Sequence, residues 1–201
     1  MSDEGEATSD VAAATQQALA RRAGLGDRAA YEELFRRLFP ATYRFALRML
    51  DHETALADDA VQEAWVKAWR GLADFRGTSK VSTWIFTIVQ REALERRRRQ
   101  RPLAVDNEIL EPLAGGDRRT TLTTRDDTDP ERAVLARELR ETLTLALTEL
   151  PWTQRATWIL QELEGLSYAE IARVLDTTPT VVRGQLHRAR RTLAIRMEQW
   201  R

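Results

Sequence analysis

Thr180, Arg183, Gly184, His187, Arg188 and Arg191 follow one another at steps of three, one, three, one and three. On a helix turning about 100° per residue, such steps gather them on one face, while Val182, Leu186, Ala189 and Leu193 draw an apolar stripe on the other. The polar face is small near its start and cationic further on. Guanidinium groups match phosphate oxygens and guanine edges, so a helix entering a major groove by its N-terminal end would read bases early and grip phosphates later. Glycine weakens a helix by roughly 1 kcal/mol relative to alanine, so Gly184 in the middle of this face points to close approach by a phosphate or base edge. The bland alternative is a solvated basic face, and His187 by itself means little.

The elements needed to hold that face are legible upstream. Ser167 and Glu170 have the spacing of a capping box, which starts a short helix burying Ile171, Val174 and Leu175. Asp176-Thr177-Thr178 forms the turn. Thr178 caps the second helix, whose first position is Pro179, where a missing N–H costs nothing. Leu166 to Leu193 therefore reads as a helix-turn-helix with an arginine-rich second helix, and DNA is its expected ligand.

Composition narrows the class. The chain has 201 residues, 43% of them hydrophobic, enough for one large or two small domains with real cores. No apolar run approaches the roughly 20 residues of a membrane span, and the acidic, polar N-terminus lacks the pattern of an export signal. Membrane insertion and export are not expected, and the location expected is cytoplasmic. Cysteine is absent and the two histidines are far apart, which excludes disulfides and thiolate chemistry and leaves no expected metal or cofactor. The 31 basic and 31 acidic residues cancel, but they are segregated. Arginines concentrate at 91, 96–99 and 101 and again from 183 to 201, whereas acids cluster at the N-terminus, at Asp58-Asp59 and between Asp106 and Glu131.

Nothing alternates with period two over a useful length, and helical patterns dominate, so the fold class is all-α. Residues 1–18 are expected to be disordered, and residues 19–101 to form one small helical domain. Asp27 caps a helix to about Leu50, bent or adjusted at Pro40; others run from about Thr54 to Leu72 and from Val81 to Arg99. Residues 102–130, rich in proline, glycine and threonine, read as a flexible acidic linker. Residues 131–201 form a second helical domain, with helices near 131–149, 153–163, 167–175 and 178–199.

Residues 56–99 resemble the second conserved region of bacterial sigma factors, and the C-terminal domain resembles their fourth. The resemblance rests on Asp59-x-x-Gln62-Glu63, Trp69, Phe75-Arg76-Gly77, Ser82-Thr83-Trp84 and the final helix-turn-helix, in that order. It covers about residues 19–101 and 131–200, with neither a third-region domain between them nor a further domain after Arg201. The chain thus looks like a sigma factor of the extracytoplasmic-function group, not an enzyme.

The resemblance implies partners and roles. Asp58, Asp59, Gln62 and Glu63 would dock on a coiled coil of the large RNA polymerase subunit, with Val61, Trp65 and Trp69 facing inward, and the fourth region would meet the polymerase flap. Phe75, Arg76, Lys80, Ser82, Thr83, Trp84, Gln90 and Arg91 would recognise the minus-ten promoter element and hold its opened strand, since melting needs stacking surfaces for unpaired bases and cations for the backbone. Trp84 is equally readable as core. Thr180, Arg183, Gly184, His187, Arg188 and Arg191 would read the minus-thirty-five element. Two departures limit any transfer of promoter sequence. Arg91 and Glu95 stand where the family commonly has Asn and Asp, and Val182-Arg183-Gly184-Gln185-Leu186 replaces the usual Val-Lys-Ser-Arg-Leu. The linker acids Asp106, Glu108, Glu111, Asp126 and Asp127 would thread a basic polymerase channel. Promoter elements roughly 50 Å apart lie within the roughly 90 Å reach of an extended linker. An anti-sigma factor is a further implied partner, and association with the nucleoid is implied for the holoenzyme.

Two rival readings remain on the residues alone. A conventional helix-turn-helix regulator would need neither the Gln62-Glu63 helix nor the aromatic loop, and would normally bring a dimerisation or ligand domain. A protein-binding helical adaptor would leave the basic face from Arg183 to Arg191 unexplained. Hydrolase or nuclease chemistry lacks convergent bases and metal-ligand spacing around Asp58-Asp59 or Glu162 and Glu164.

Overall fold

The structure, a computed structural model, describes residues 3–100 and 130–198, and its regular elements are helices throughout. The first half comprises α1 (Asp3–Gly24), α2 (Arg28–Met49), α3 (Thr54–Gly71), a 3-10 turn over Leu72–Asp74, and α4 (Val81–Gln100). The second comprises α5 (Pro130–Thr148), α6 (Trp152–Trp158) prolonged by a π-helical turn at Ile159–Leu163, α7 (Tyr168–Val174) and α8 (Pro179–Arg196). Residues 101–129, which hold nearly all of the expected linker and its acids, lie outside the described residues.

Helix α1 begins at Asp3, inside the segment 1–18 expected to be disordered. Its Ala20 and Ala23 are buried and Leu19 packs on the core. That anchored turn lets the alanine-rich segment behind it propagate as helix at little cost. Composition registers the acids there and overlooks the alanines.

Local signals account for the other boundaries. The Asp27 carboxylate accepts the Ala30 N–H at 3.0 Å and opens α2. Pro40 is carried inside α2, and Thr42 just beyond it donates to the Leu38 and Phe39 carbonyls at 3.0 Å. The Thr42 hydroxyl also accepts the Trp65 indole N–H at 3.3 Å, which ties α3 to the turn containing Pro40.

A single apolar core crosses the two halves. Leu34, Phe45 and Met49 of α2, Val61 and Trp65 of α3, and Ile85 and Val89 of α4 are continuous with Trp152, Ile159, Leu160, Ile171 and Val174 of the second half. Helix α4 lies against α3 and also against α7. A smaller cluster joins Ala146, Leu147 and Leu150 to Ala189 and Leu193 of α8. Trp69 departs from its expected inward position: it is 40% exposed, its ring edge-on to Tyr31 at 4.7 Å.

Candidate nucleic-acid and partner-docking interface

The helix-turn-helix forms as its local chemistry requires. The Ser167 hydroxyl accepts the Glu170 N–H at 3.3 Å and the Glu170 carboxylate accepts the Ser167 N–H at 2.8 Å, completing the capping box. Asp176 turns the chain at φ 52°, and the Thr178 hydroxyl caps α8 by accepting the Val181 N–H at 3.4 Å. Val182, Leu186, Ala189 and Leu193 are buried. Thr180, Arg183, His187, Arg188 and Arg191 are exposed and Gly184 is half-buried, so the six candidate residues share a face turned away from the core. A β-carbon at Gly184 would meet only the Arg188 guanidinium, at 3.6 Å. Arg190, one step round the helix, is engaged by Glu162 at 2.6 Å.

On α3, Asp58, Asp59 and Gln62 are exposed on successive turns while Ala57, Val61 and Trp65 of the same helix are buried. Glu63 is half-buried, 3.7 Å from Lys67, whose ammonium also meets Glu92 of α4 at 2.7 Å. Asp58 and Gln62 border a cleft of about 410 Å³ between α2 and α3, lined by Tyr31, Phe35, Phe39, Tyr43, Val61, Trp65 and Val66. Its rings interlock edge-on and tilted, Phe35 against Trp65 at 4.9 Å and against Phe39 at 4.7 Å. Burial pushes the Tyr31 phenol up to about 12, and its O–H donates to the Trp65 carbonyl at 2.7 Å. Burial first and the Asp58 carboxylate second raise the Tyr43 phenol, keeping its O–H a donor at the rim. An apolar floor with a polar, partly acidic rim suits a partner helix that brings an apolar ridge flanked by basic groups.

The expected minus-ten residues are not equally placed. Arg76, Lys80 and Arg91 are exposed; Phe75, Ser82 and Trp84 are half-buried. Trp84 lies tilted on Phe75 at 5.0 Å, and a β-carbon at Gly71 would come within 3.1 Å of its ring, so the tryptophan is part core and part surface. Thr83 and Gln90 are 1% and 8% exposed and face the interior of α4's packing. Lys80 is engaged across the two halves by Glu170 at 3.2 Å. With α7 lying on α4, the first helix of the helix-turn-helix covers part of the surface that carries these residues.

The junction holds a charged cluster that no spacing in the sequence announces. Arg155 of α6 has a side chain only 3% exposed. Its Nη1 donates to the Asp51 carboxylate at 2.6 Å and to the Arg48 and Met49 carbonyls at 3.3 and 3.4 Å, and its Nη2 donates to the Thr148 carbonyl at 2.5 Å. A guanidinium therefore sits where the carboxyl ends of α2 and α5 converge, where a cation is favoured by both dipoles. Asp51 and His52 reach this turn at φ 53° and 62°. Burial, then the charges of Arg48 and Arg155, lower the His52 imidazole, and its Nδ1 has no hydrogen-bond partner among the described residues. Glu164, 4.0 Å from Arg44, is pushed upward by burial against the pull of Arg44 and Arg48. Arg97 of α4 stacks over Trp152 of α6 at 5.0 Å.

Among the described residues no cluster of His, Cys, Asp and Glu could hold a metal ion, and no helix is long and apolar enough to cross a membrane.

Comparison with known proteins places these features in a family context. A model described as Sigma-70 region 2 matches residues 34–102, and one described as Sigma-70, region 4 matches residues 140–193. The chain is similar to the RNA polymerase sigma-H factor of Pseudomonas aeruginosa, with 34% identity covering 88% of this chain and 91% of the relative. It is also similar to the ECF RNA polymerase sigma-E factor of Escherichia coli K12, with 32% identity covering 89% and 92% respectively. Among solved structures, CnrH in complex with the cytosolic domain of CnrY matches with a TM-score of 0.65 and 25% identity over 92% of this chain and 98% of that one. The sigma factor RpoE of Bartonella quintana, in complex with the anti-sigma factor NepR, shares the fold with a TM-score of 0.62 and 22% identity over 84% and 96%.

Proposed function

Because the chain belongs to the sigma-70 family, in its extracytoplasmic-function group, we propose that its exposed surfaces divide the work of promoter-specific transcription initiation in a definite way. The protein is a sigma factor that binds core RNA polymerase and directs initiation at promoters. Residues 19–101 act as the domain that docks on polymerase and opens DNA, and residues 131–201 as the domain that reads the upstream element. The cleft between α2 and α3, rimmed by Asp58 and Gln62, receives the coiled coil of the large polymerase subunit, and Asp59 and Glu63 extend the contact. Phe75 and Trp84 supply ring surfaces for unpaired bases of the minus-ten element, with Arg76, Lys80 and Arg91 on the backbone. Ser82 is within reach of the strand, while Thr83 and Gln90 support the helix from within. The α8 face carries minus-thirty-five recognition, bases at Thr180, Arg183 and Gly184, and phosphates at Arg188 and Arg191 with His187 between them.

In this arrangement no step of covalent chemistry falls to the chain. Its contribution is binding energy: docking aligns the two DNA-reading faces, and stacking compensates for bases taken out of the duplex. An anti-sigma factor that covers these faces would hold the protein inactive, and a cytoplasmic, nucleoid-associated location follows from the same role.

The observation that carries the docking assignment is the exposed polar row Asp58, Asp59 and Gln62 at the lip of an aromatic cleft. Replacing Asp59 and Gln62 together by alanine removes surface groups only, so helical content and Tm should stay and affinity for core polymerase should fall. Normal polymerase binding by this variant would remove the assignment. For the upstream face, Arg183→Ala should cost about 1–3 kcal/mol on a matched element and less on a scrambled one, whereas Arg191→Ala should weaken both alike.

A further inference from the structure

The loop from Phe75 to Lys80 is held from an unexpected direction. Gln17, on α1, reaches it across more than sixty positions of sequence: the Val81 N–H donates to the Gln17 Oε1 at 3.2 Å, and the Gln17 Nε2 donates to the Ser79 carbonyl at 3.5 Å. The Val81 N–H belongs to the first turn of α4, whose opening donors have no partner inside the helix. The same amide lies over Gly77, where a β-carbon would stand 2.9 Å from Nε2 and where the backbone turns at φ 70°. Glycine at 77 therefore does two things: it takes the left-handed turn, and it leaves room for the glutamine.

One side chain thus contacts the loop at Gly77, Ser79 and Val81, between exposed Arg76 and Lys80 and one turn before Trp84. Those are the groups assigned above to the minus-ten strand. Their relative placement depends on where α4 begins and how Gly77 turns, and Gln17 contacts the chain at both points. We propose that Gln17 is a positioning residue for minus-ten recognition, acting through the Phe75–Lys80 loop without touching DNA. The inference rests on the reading of that loop as the minus-ten surface.

The test uses the full chain reconstituted with core RNA polymerase and a duplex pool in which the minus-ten segment is randomised beside a fixed upstream element selected with the wild-type protein. The readout is the sequence enrichment at each randomised position. Gln17→Ala should flatten enrichment at the preferred positions by about fivefold to thirtyfold, the scale of one or two net hydrogen bonds, with core polymerase affinity unchanged. Gln17→Glu, which keeps an acceptor for Val81 but loses the donor to Ser79, should fall between alanine and wild type. Leu19→Ala, which trims the same helix where it packs on the core, is the stability control and should lower Tm while leaving the enrichment profile intact. A wild-type profile from Gln17→Ala, or an equal flattening by Leu19→Ala, overturns the inference. Arg76→Ala and Lys80→Ala separate the two levels of reading. If they alter the profile and Gln17→Ala does not, only the positioning role fails; if neither alters it, the loop assignment fails and the inference with it.

Discussion

Arg155→Met should loosen the contact between the two halves while leaving each half helical. The substitution keeps an unbranched side chain of similar length and removes every donor. Wild-type Arg155 is buried, and its bonds to Asp51, Arg48 and Met49 cross from α6 to the end of α2, whereas its bond to Thr148 stays within its own half. Removing one partner of a buried ion pair costs about 3–5 kcal/mol. Here the Asp51 side chain is 34% exposed and recovers part of its hydration, so we expect about 2–3 kcal/mol. At 1.4 kcal/mol per decade that is about a 30- to 150-fold shift away from the closed arrangement. The chain has no cysteine, so Asp74→Cys and Ala169→Cys, both at exposed positions, would take a donor and an acceptor dye without background. Transfer efficiency between them should fall in Arg155→Met and fall less in Asp51→Ala, and adding Asp51→Ala to Arg155→Met should change little because the pair is already broken. Helicity should be retained. A lowered Tm with unchanged transfer would refute the reasoning, since it would mean that Arg155 stabilises only α5 and α6 through Thr148.

Three further outcomes follow from particular contacts. Gly184→Ala should stabilise the free protein by up to about 1 kcal/mol, because nothing but the Arg188 guanidinium lies near the new methyl group; weaker binding to the upstream element alongside that gain would mark a close DNA approach, and unchanged binding would exclude one. His52 is held below its ordinary value by burial and by Arg48 and Arg155, so the unfolded chain binds its proton more readily than the folded one. Stability contributed by this site should therefore be intact above about pH 6.5 and decline as pH falls through that value, and His52→Gln should flatten the decline in Tm measured from pH 7.5 to 5.5. Trp84→Ala should cost less than the roughly 3–5 kcal/mol of a fully buried tryptophan, since its ring is only half-buried; strand opening should suffer more than closed-complex formation, and a premelted bubble template that fails to restore activity would remove its stacking role.

Much of this molecule is written in short-range patterns. The caps at Asp27, Ser167 and Thr178, the turn at Asp176 and the apolar stripe of α8 involve residues within a few positions of each other, where helix geometry alone dictates who meets whom. The exposure of Asp59, Gln62, Arg183 and Arg191 follows equally from helical period, because their neighbours on the opposite face are apolar. Tertiary structure decided what period cannot express. Trp69 lies on the same four-residue repeat as Trp65, yet 40% of it is exposed, its ring meeting Tyr31 edge-on, while Trp65 is 3% exposed. Thr83 and Gln90, polar by composition, are buried where α4 meets its neighbours on more than one side. Gln17 and Arg155 carry no motif, since the contacts that give them their roles reach 62–64 and 104–107 positions away, while the Arg155 bond to Thr148 is local. A polar side chain acquires such a role only when packing brings an unsatisfied backbone group or helix end within its reach, and that is a property of the folded chain.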